Sequence, residues 1–328
     1  MRRATGPAPT RRRFIAIAAA AAGLPLAALP AGAAQAPLHR WSGIALGAKA
    51  EIALHDPDAA RARRLIAACV AEIDRLEDVF SLYRPESAIC RLNRSGRLAA
   101  PPLELVALLA EARTYAKRTD GAFDVTVQPL WHLYAAHFAR ARADARGPGE
   151  AALARVRALV DHRALEIDAA EVRFARPGMA LTLNGIAQGY ITDRIAALLR
   201  DAGMTDVLLD IGECRALGRH PAGRPWRVGL RRAAEPDSVA RTIALADGAV
   251  ATSAGSASPF EPSGRWHHLF DPATGLPAQP AAQVSVIAPS TTMADALSTA
   301  LAVSLPARAA AIAARFPGID VLSDAAAG

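Results

Sequence analysis

Between Ala59 and Phe80 the apolar side chains Leu65, Cys69, Ile73, Leu76 and Phe80 recur three or four residues apart, so one stripe of a helix is apolar and the rest is polar. Such a stripe has to lie against another layer. Asp56-Pro57-Asp58 supplies the capping residues just before it. Short runs of strand character surround this helix. Ile44, Leu46, Ile52 and Leu54 read as a strand pair near Gly43 and Gly47. Residues 164–168, 171–174 and 180–183 read as three short strands, and 206–211 as a buried one. Further strands are expected at 226–230, 242–245, 249–252, 267–270 and 283–288. Helices are expected at 103–116, at 186–202 with a stop at Gly203, at 292–303 and at 307–315, while 140–150 reads as a surface connection. The order helix, strands, helix, strands, helix predicts α+β layers with no linker inside.

Charge says more about export than about partners. Five of the +7 formal charges are Arg2, Arg3, Arg11, Arg12 and Arg13, which leaves +2 on the chain from Ala34 onward. A nucleic-acid surface is therefore not expected. Thr10-Arg11-Arg12-Arg13-Phe14-Ile15 has the twin-arginine form, an apolar run follows to Leu29, and Ala31-Gly32-Ala33 offers small residues for cleavage. Residues 1–33 thus read as a twin-arginine signal peptide and 34–328 as one mature domain, periplasmic after export. The apolar run is too short for a membrane anchor, and nothing after residue 33 is long and apolar enough to span a bilayer. Cys69, Cys90 and Cys214 are odd in number and lack metal-ligand spacing.

Five stretches are richer in glycine, hydroxyls and acids than a core requires. Phe80-Ser81-Leu82-Tyr83-Arg84-Pro85-Glu86-Ser87, with Asn93 beyond, offers an aromatic ring and hydroxyls for a flat ligand, or else a capped helix stop. In Gly121-Ala122-Phe123-Asp124-Val125-Thr126-Val127 a lone acid enters a strand, where it either caps a turn or reads a base or ribose. Leu183-Asn184-Gly185-Ile186-Ala187-Gln188-Gly189-Tyr190 runs from a strand through two glycines into a helix, which lets backbone N–H groups face an anion at the positive end of the dipole. It matches neither phosphate-loop fingerprint. His267 and His268 precede Asp271-Pro272; on a strand they point to opposite faces and do not share a metal. In Ala294-Asp295-Ala296-Leu297-Ser298-Thr299, positions 295, 298 and 299 share a helical face, a hard-oxygen set suited to Mg²⁺ or simply a helix start with a stray acid.

Taken in order, these stretches resemble the ApbE-type flavin transferases, the FAD:protein FMN transferases, from about Ser42 to Val303. Thr182 to Asp193, Gln128-Pro129-Leu130-Trp131 and the leader are most similar to the NosX-like branch, which serves the flavoprotein NosR. The resemblance implies a single T-fold-related domain, bilobed, with FAD in a central cleft and Mg²⁺ at its pyrophosphate. Leu46, Ser81, Leu82, Tyr83, Ala122, Phe123, Asp124, Thr182, Gln188 and Leu269 are then expected to line the flavin nucleotide. Gly185, through its carbonyl, with Asp295, Ser298 and Thr299, is expected to hold the metal; His268, Asp271 and Asp295 are expected beside the reacting phosphate.

Three departures from the family pattern stand out. Leu46-Gly47-Ala48 replaces Met-Gly-Thr, Gln188 replaces a Lys or Glu, and Asp210-Ile211-Gly212-Glu213 lacks a second glycine. The implied reaction is transfer of FMN from FAD to a Thr or Ser hydroxyl of a client flavoprotein, such as a NosR-like FMN-binding domain, with release of AMP. Hydrolysis of FAD to FMN and AMP, and a non-catalytic flavin carrier, are the alternatives.

Overall fold

The computed structural model describes residues 36–232, 235–278 and 283–324. The leader expected over 1–33 lies outside them. Strands β1 (Leu38–Ala45) and β2 (Ala48–His55) form an antiparallel hairpin. Helices α1 (Ala59–Phe80) and α2 (Ala88–Ser95) follow, then β3 (Arg97–Ala99), α3 (Leu103–Arg118), α4 (Gln128–Phe138) and α5 (Glu150–Arg157). Next come β4 (Leu165–Ile167), β5 (Glu171–Phe174), α6 (Ala187–Asp201), β6 (Val207–Ile211) and β7 (Cys214–Leu217). The chain continues through β8 (Trp226–Arg232), β9 (Glu235–Leu245), β10 (Ala249–Ala254) and β11 (Gln283–Ala288), and ends in α7 (Thr291–Ala302), α8 (Pro306–Ala313) and β12 (Asp320–Asp324).

A seven-stranded sheet, antiparallel throughout, has the order β1-β2-β6-β7-β10-β11-β12. Its two faces follow from strand alternation. Val207, Leu209 and Ile211 of β6 join the main core with Ile73, Leu76 and Phe80 of α1, Ile191 and Ile195 of α6, and Leu297 of α7. Leu208 points the other way, into a second core with Trp226, Val228, Ile243 and Leu245 of the β8–β9 hairpin. Each large apolar side chain buried this way contributes about 1.5–3 kcal/mol. A third cluster, Leu130, Tyr134, Trp266 and Phe270, joins α4 to the 258–278 loop. There Tyr134 Oη donates to the Gly275 carbonyl and Trp266 Nε1 to the Ala145 carbonyl.

The expected stripe on α1 is the buried face, and Asp58 caps the helix by accepting from Ala60 and Arg61 N–H. Gly203 takes the left-handed conformation after α6. Four local expectations are corrected. Among the described residues, 180–183 pair with no strand; Leu181 bonds instead to the Asn93 amide, and Thr182 N–H to the Val125 carbonyl. Val125–Val127 is a turn of 3₁₀ helix leading into α4, because Asp124 caps it rather than entering a strand. Among the described residues, 267–270 make only isolated bridges, Pro259 with His267 and Phe270 with Pro277. The surface connection ends at 149, where α5 begins. Among the described residues no helix is long and apolar enough to cross a membrane.

Candidate active site

Helix α6 starts just after the Gly185–Ile186 turn, and α7 crosses it closely. Glycine makes this approach possible: a Cβ on Gly189 would lie 2.5 Å from the Thr291 carbonyl oxygen. The crossing brings the Gly189 N–H to Asp295 Oδ2 at 3.0 Å. An anion at the start of α6 was expected from sequence, and in the structure Asp295's own carboxylate takes that place. One turn further along α7, Ser298 and Thr299 share Ser253, whose hydroxyl lies 2.8 Å from Ser298 Oγ and 3.2 Å from Thr299 Oγ1. Gly185 abuts the same group, since a Cβ there would stand 2.8 Å from Thr299 Oγ1. Gly185, Asp295, Ser298 and Thr299 are therefore one constellation.

Burial governs its electrostatics. Asp295 is 3% exposed, and desolvation pushes its carboxyl up to about 7; the Gly189 N–H opposes this and the charge of Asp193 adds to it. Glu213, one residue past the left-handed Gly212, is buried nearby, and its carboxyl is also raised by desolvation and then by the charge of Asp295. Two buried acids that resist ionising together fit a site completed by a cation. The oxygen donors also fit a hard ion such as Mg²⁺: a carboxylate, neighbouring hydroxyls and the backbone at Gly185.

The expected flavin-lining residues fall into linked groups. Leu46 has a left-handed φ of 47°, its N–H donates to Glu77, and Gly47 packs on the Tyr83 ring, which joins the β1–β2 turn to the Ser81–Leu82–Tyr83 loop. Tyr83 is 52% exposed, whereas Ser81 is buried and its Oγ accepts from Tyr83 N–H. Ala122, Phe123 and Leu269 are all buried in the main core. Asp124 is held on both oxygens: Oδ1 accepts from Thr126 N–H and Oγ1, and Oδ2 from His162 N–H at 3.0 Å with His162 Nδ1 at 3.2 Å. Thr182 Oγ1 accepts from Asn184 N–H at 3.2 Å, and Gln188 lies across the Gly212 turn, 2.3 Å from where a Cβ on Gly212 would stand.

The segment 181–185 connects these groups. Asn93 grips Leu181, Val125 holds Thr182, and Thr299 abuts Gly185. Asn93 is thus a backbone clamp rather than a ligand grip. Asp271 holds its own turn: its oxygens accept from Ala273 N–H and Thr274 Oγ1, and Oδ1 lies 3.6 Å from Arg308. His268 N–H donates to the Ser258 carbonyl, while His267 is fully buried, with Nε2 2.9 Å from the Ala278 carbonyl.

Sequence reasoning missed Ser253, Glu213 and His162 as members of these groups. Ser253 ends a small-residue strand and Glu213 is an acid between apolar strands, which were the available signals; His162 had none.

The model of the ApbE family matches residues 46–323. The chain belongs to the ApbE family. Among similar ApbE-family proteins, one from Treponema pallidum named FAD:protein FMN transferase is 32% identical over 76% of this chain and 74% of its own. Another of that name from Vibrio cholerae is 33% identical, covering 74% of this chain and 75% of its own. The solved flavin transferase ApbE from Vibrio cholerae superposes with a TM-score of 0.74 at 28% identity, covering 88% of this chain and 94% of that one. The ApbE protein of Thermotoga maritima gives 0.76 at 28% identity over the same shares. The ApbE fold thus extends over nearly all the described residues, with antiparallel sheets in a single domain.

Proposed function

We propose that this protein is a Mg²⁺-dependent FAD:protein FMN transferase that moves the FMN half of FAD onto a Thr or Ser hydroxyl of a client protein and releases AMP. The observation that carries the reading is the meeting of Asp295 with the Gly189 N–H at 3.0 Å, with Thr299 against Gly185. Relatives that share the fold carry the transferase name.

In this reading the chain's own residues orient the dinucleotide. Leu46, Ser81, Leu82 and Tyr83 form one wall; Ala122, Phe123, Asp124, Thr182, Gln188 and Leu269 complete it. Asp295, Thr299 and the Gly185 carbonyl, with Ser298 beside them, would hold Mg²⁺, which when bound neutralises charge on the pyrophosphate. The client hydroxyl forms a bond to the FMN phosphorus, the pyrophosphate P–O bond breaks, and AMP leaves with that electron pair. Asp295 and His268 are the residues offered to take the hydroxyl proton, and Asp271 shapes the turn that follows His268.

In this reading the twin-arginine leader sends the protein to the periplasm, and a NosR-like FMN-binding domain is the proposed client. Co-expression with such a domain, followed by in-gel flavin fluorescence and mass measurement, tests the transfer. Wild type yields an FMN-sized adduct that survives denaturation. Asp295→Ala, still folded by circular dichroism, yields none; near-normal labelling by that variant in excess Mg²⁺ defeats the reading. Retention of an Arg11→Lys, Arg12→Lys variant in the cytoplasm tests the export route.

A further inference from the structure

Away from Asp295, Ser298 and Thr299, a cavity of about 380 Å³ opens between α6, β7 and the start of α7. Arg194, Arg200, Arg215, Glu111, Asp193 and Tyr190 line it. Its acids are engaged. Asp193 accepts from Thr291 N–H, Thr292 N–H and Thr292 Oγ1 at 2.7–2.9 Å, so its charge faces the positive end of α7. Glu111 Oε1 accepts from Tyr115 Oη, and burial raises its carboxyl. What remains is basic. Arg194 and Arg200 are half-exposed and meet Glu72 and Asp247 only at 3.8 and 3.7 Å.

Arg215 is the unusual member. It is 8% exposed, yet among the described residues it donates one hydrogen bond, from Nη1 to the Pro289 carbonyl. Asp193 Oδ1 lies 3.9 Å from that nitrogen. The buried Nε has no partner among the described residues, and Nη2 makes no hydrogen bond there either. A buried guanidinium nitrogen left without an acceptor is costly unless a ligand completes it. The Nε–Nη2 edge is the fork on which carboxylate and phosphate oxygens sit.

We propose that this cavity binds a small oxyanion, phosphate or carboxylate, on Arg215 with Arg194 and Arg200 closing over it. The site is separate from the Asp295 constellation and does not depend on the transferase reading. Calorimetric titration of the full chain with sodium phosphate, in EDTA and at constant ionic strength, tests it. Sodium acetate in a parallel arm separates a carboxylate ligand from a phosphate one, and sodium chloride is the reference. Saturable binding of phosphate or acetate is expected. It weakens about tenfold or more in the Arg194→Gln, Arg200→Gln double variant, as removal of charge-assisted pairs predicts, and persists in Asp295→Ala. Arg215→Gln gives the same loss if it folds; the double variant, altered only at half-exposed positions, decides the matter otherwise. A response no different from chloride, equal affinity in the double variant, or loss confined to Asp295→Ala overturns the proposal.

Discussion

Asp295 carries two consequences at the scale of one residue. Its carboxyl rises from the ordinary 3.8 to about 7 on folding because burial disfavours the charge. Between those values the native state holds a proton that the unfolded chain has lost, so metal-free stability falls as pH rises through that window. Asp295→Asn is expected to flatten this part of the curve, leaving its melting temperature at pH 8 in EDTA at or above that of wild type. Identical pH slopes for the two proteins would count against the assignment. The glycines beside Asp295 differ in kind. A Cβ at Gly189 meets backbone at Thr291, which cannot rotate away, so Gly189→Ala is expected to cost about 1–3 kcal/mol in denaturant unfolding. A Cβ at Gly185 meets the Thr299 side chain, which can turn. Gly185→Ala is therefore expected to reduce flavin transfer more than stability, with unfolding and labelling measured side by side.

Among the elements, α6 and α7 place the site, and each supplies what the other's first turn lacks. Asp295 of α7 meets the first turn of α6, while Asp193 of α6 caps α7 through two backbone N–H groups and a hydroxyl. Asp193→Ala leaves those donors without their acceptor, an expected loss of about 1–2 kcal/mol. Because α7 carries Asp295, Ser298 and Thr299, the same variant is expected to lower transfer as well. Thermal unfolding and in-gel flavin fluorescence on one preparation check both, and an unchanged melting temperature would remove the cap from the account. Both α6 and α7 were legible from apolar periodicity. Their mutual capping was not, because it joins residues 98–106 positions apart.

In the whole molecule, one antiparallel sheet separates the helical core from the β8–β9 hairpin. Strand β6 is paired on both edges, by β2 and β7, and packed on both faces, whereas among the described residues β8 and β9 pair only with each other. Hydrogen exchange is expected to be slowest in β6 and faster in the hairpin, since protection follows the local cost of opening. Equal protection in the two would show that they open as one unit. The α+β layering was readable because periods of 3.6 and 2 are local properties of the chain. The three-stranded β3-β5-β4 sheet shows the limit: residues 164–168 and 171–174 read as strands and pair over 165–167 and 171–174, but 180–183, equally apolar, pair with no strand among the described residues. Strand pairing requires a free neighbouring edge, and the Asn93 amide already bonds Leu181 N–H and carbonyl there.

The sequence by itself determined helices α1, α3, α6 and α7, strands β6, β10 and β11, the stripe that α1 buries and the residue types at the Gly185–Gly189 turn and along α7, since spacing along one helix fixes which side chains share a face. Only the tertiary structure decided that these two stretches touch, that Ser253 and Glu213 stand with them, and that Asn93 and Asp124 hold backbone in place. Each of those outcomes rests on burial or on a hydrogen bond between residues far apart in the chain, and no local pattern records which distant partner will exclude water from a polar group.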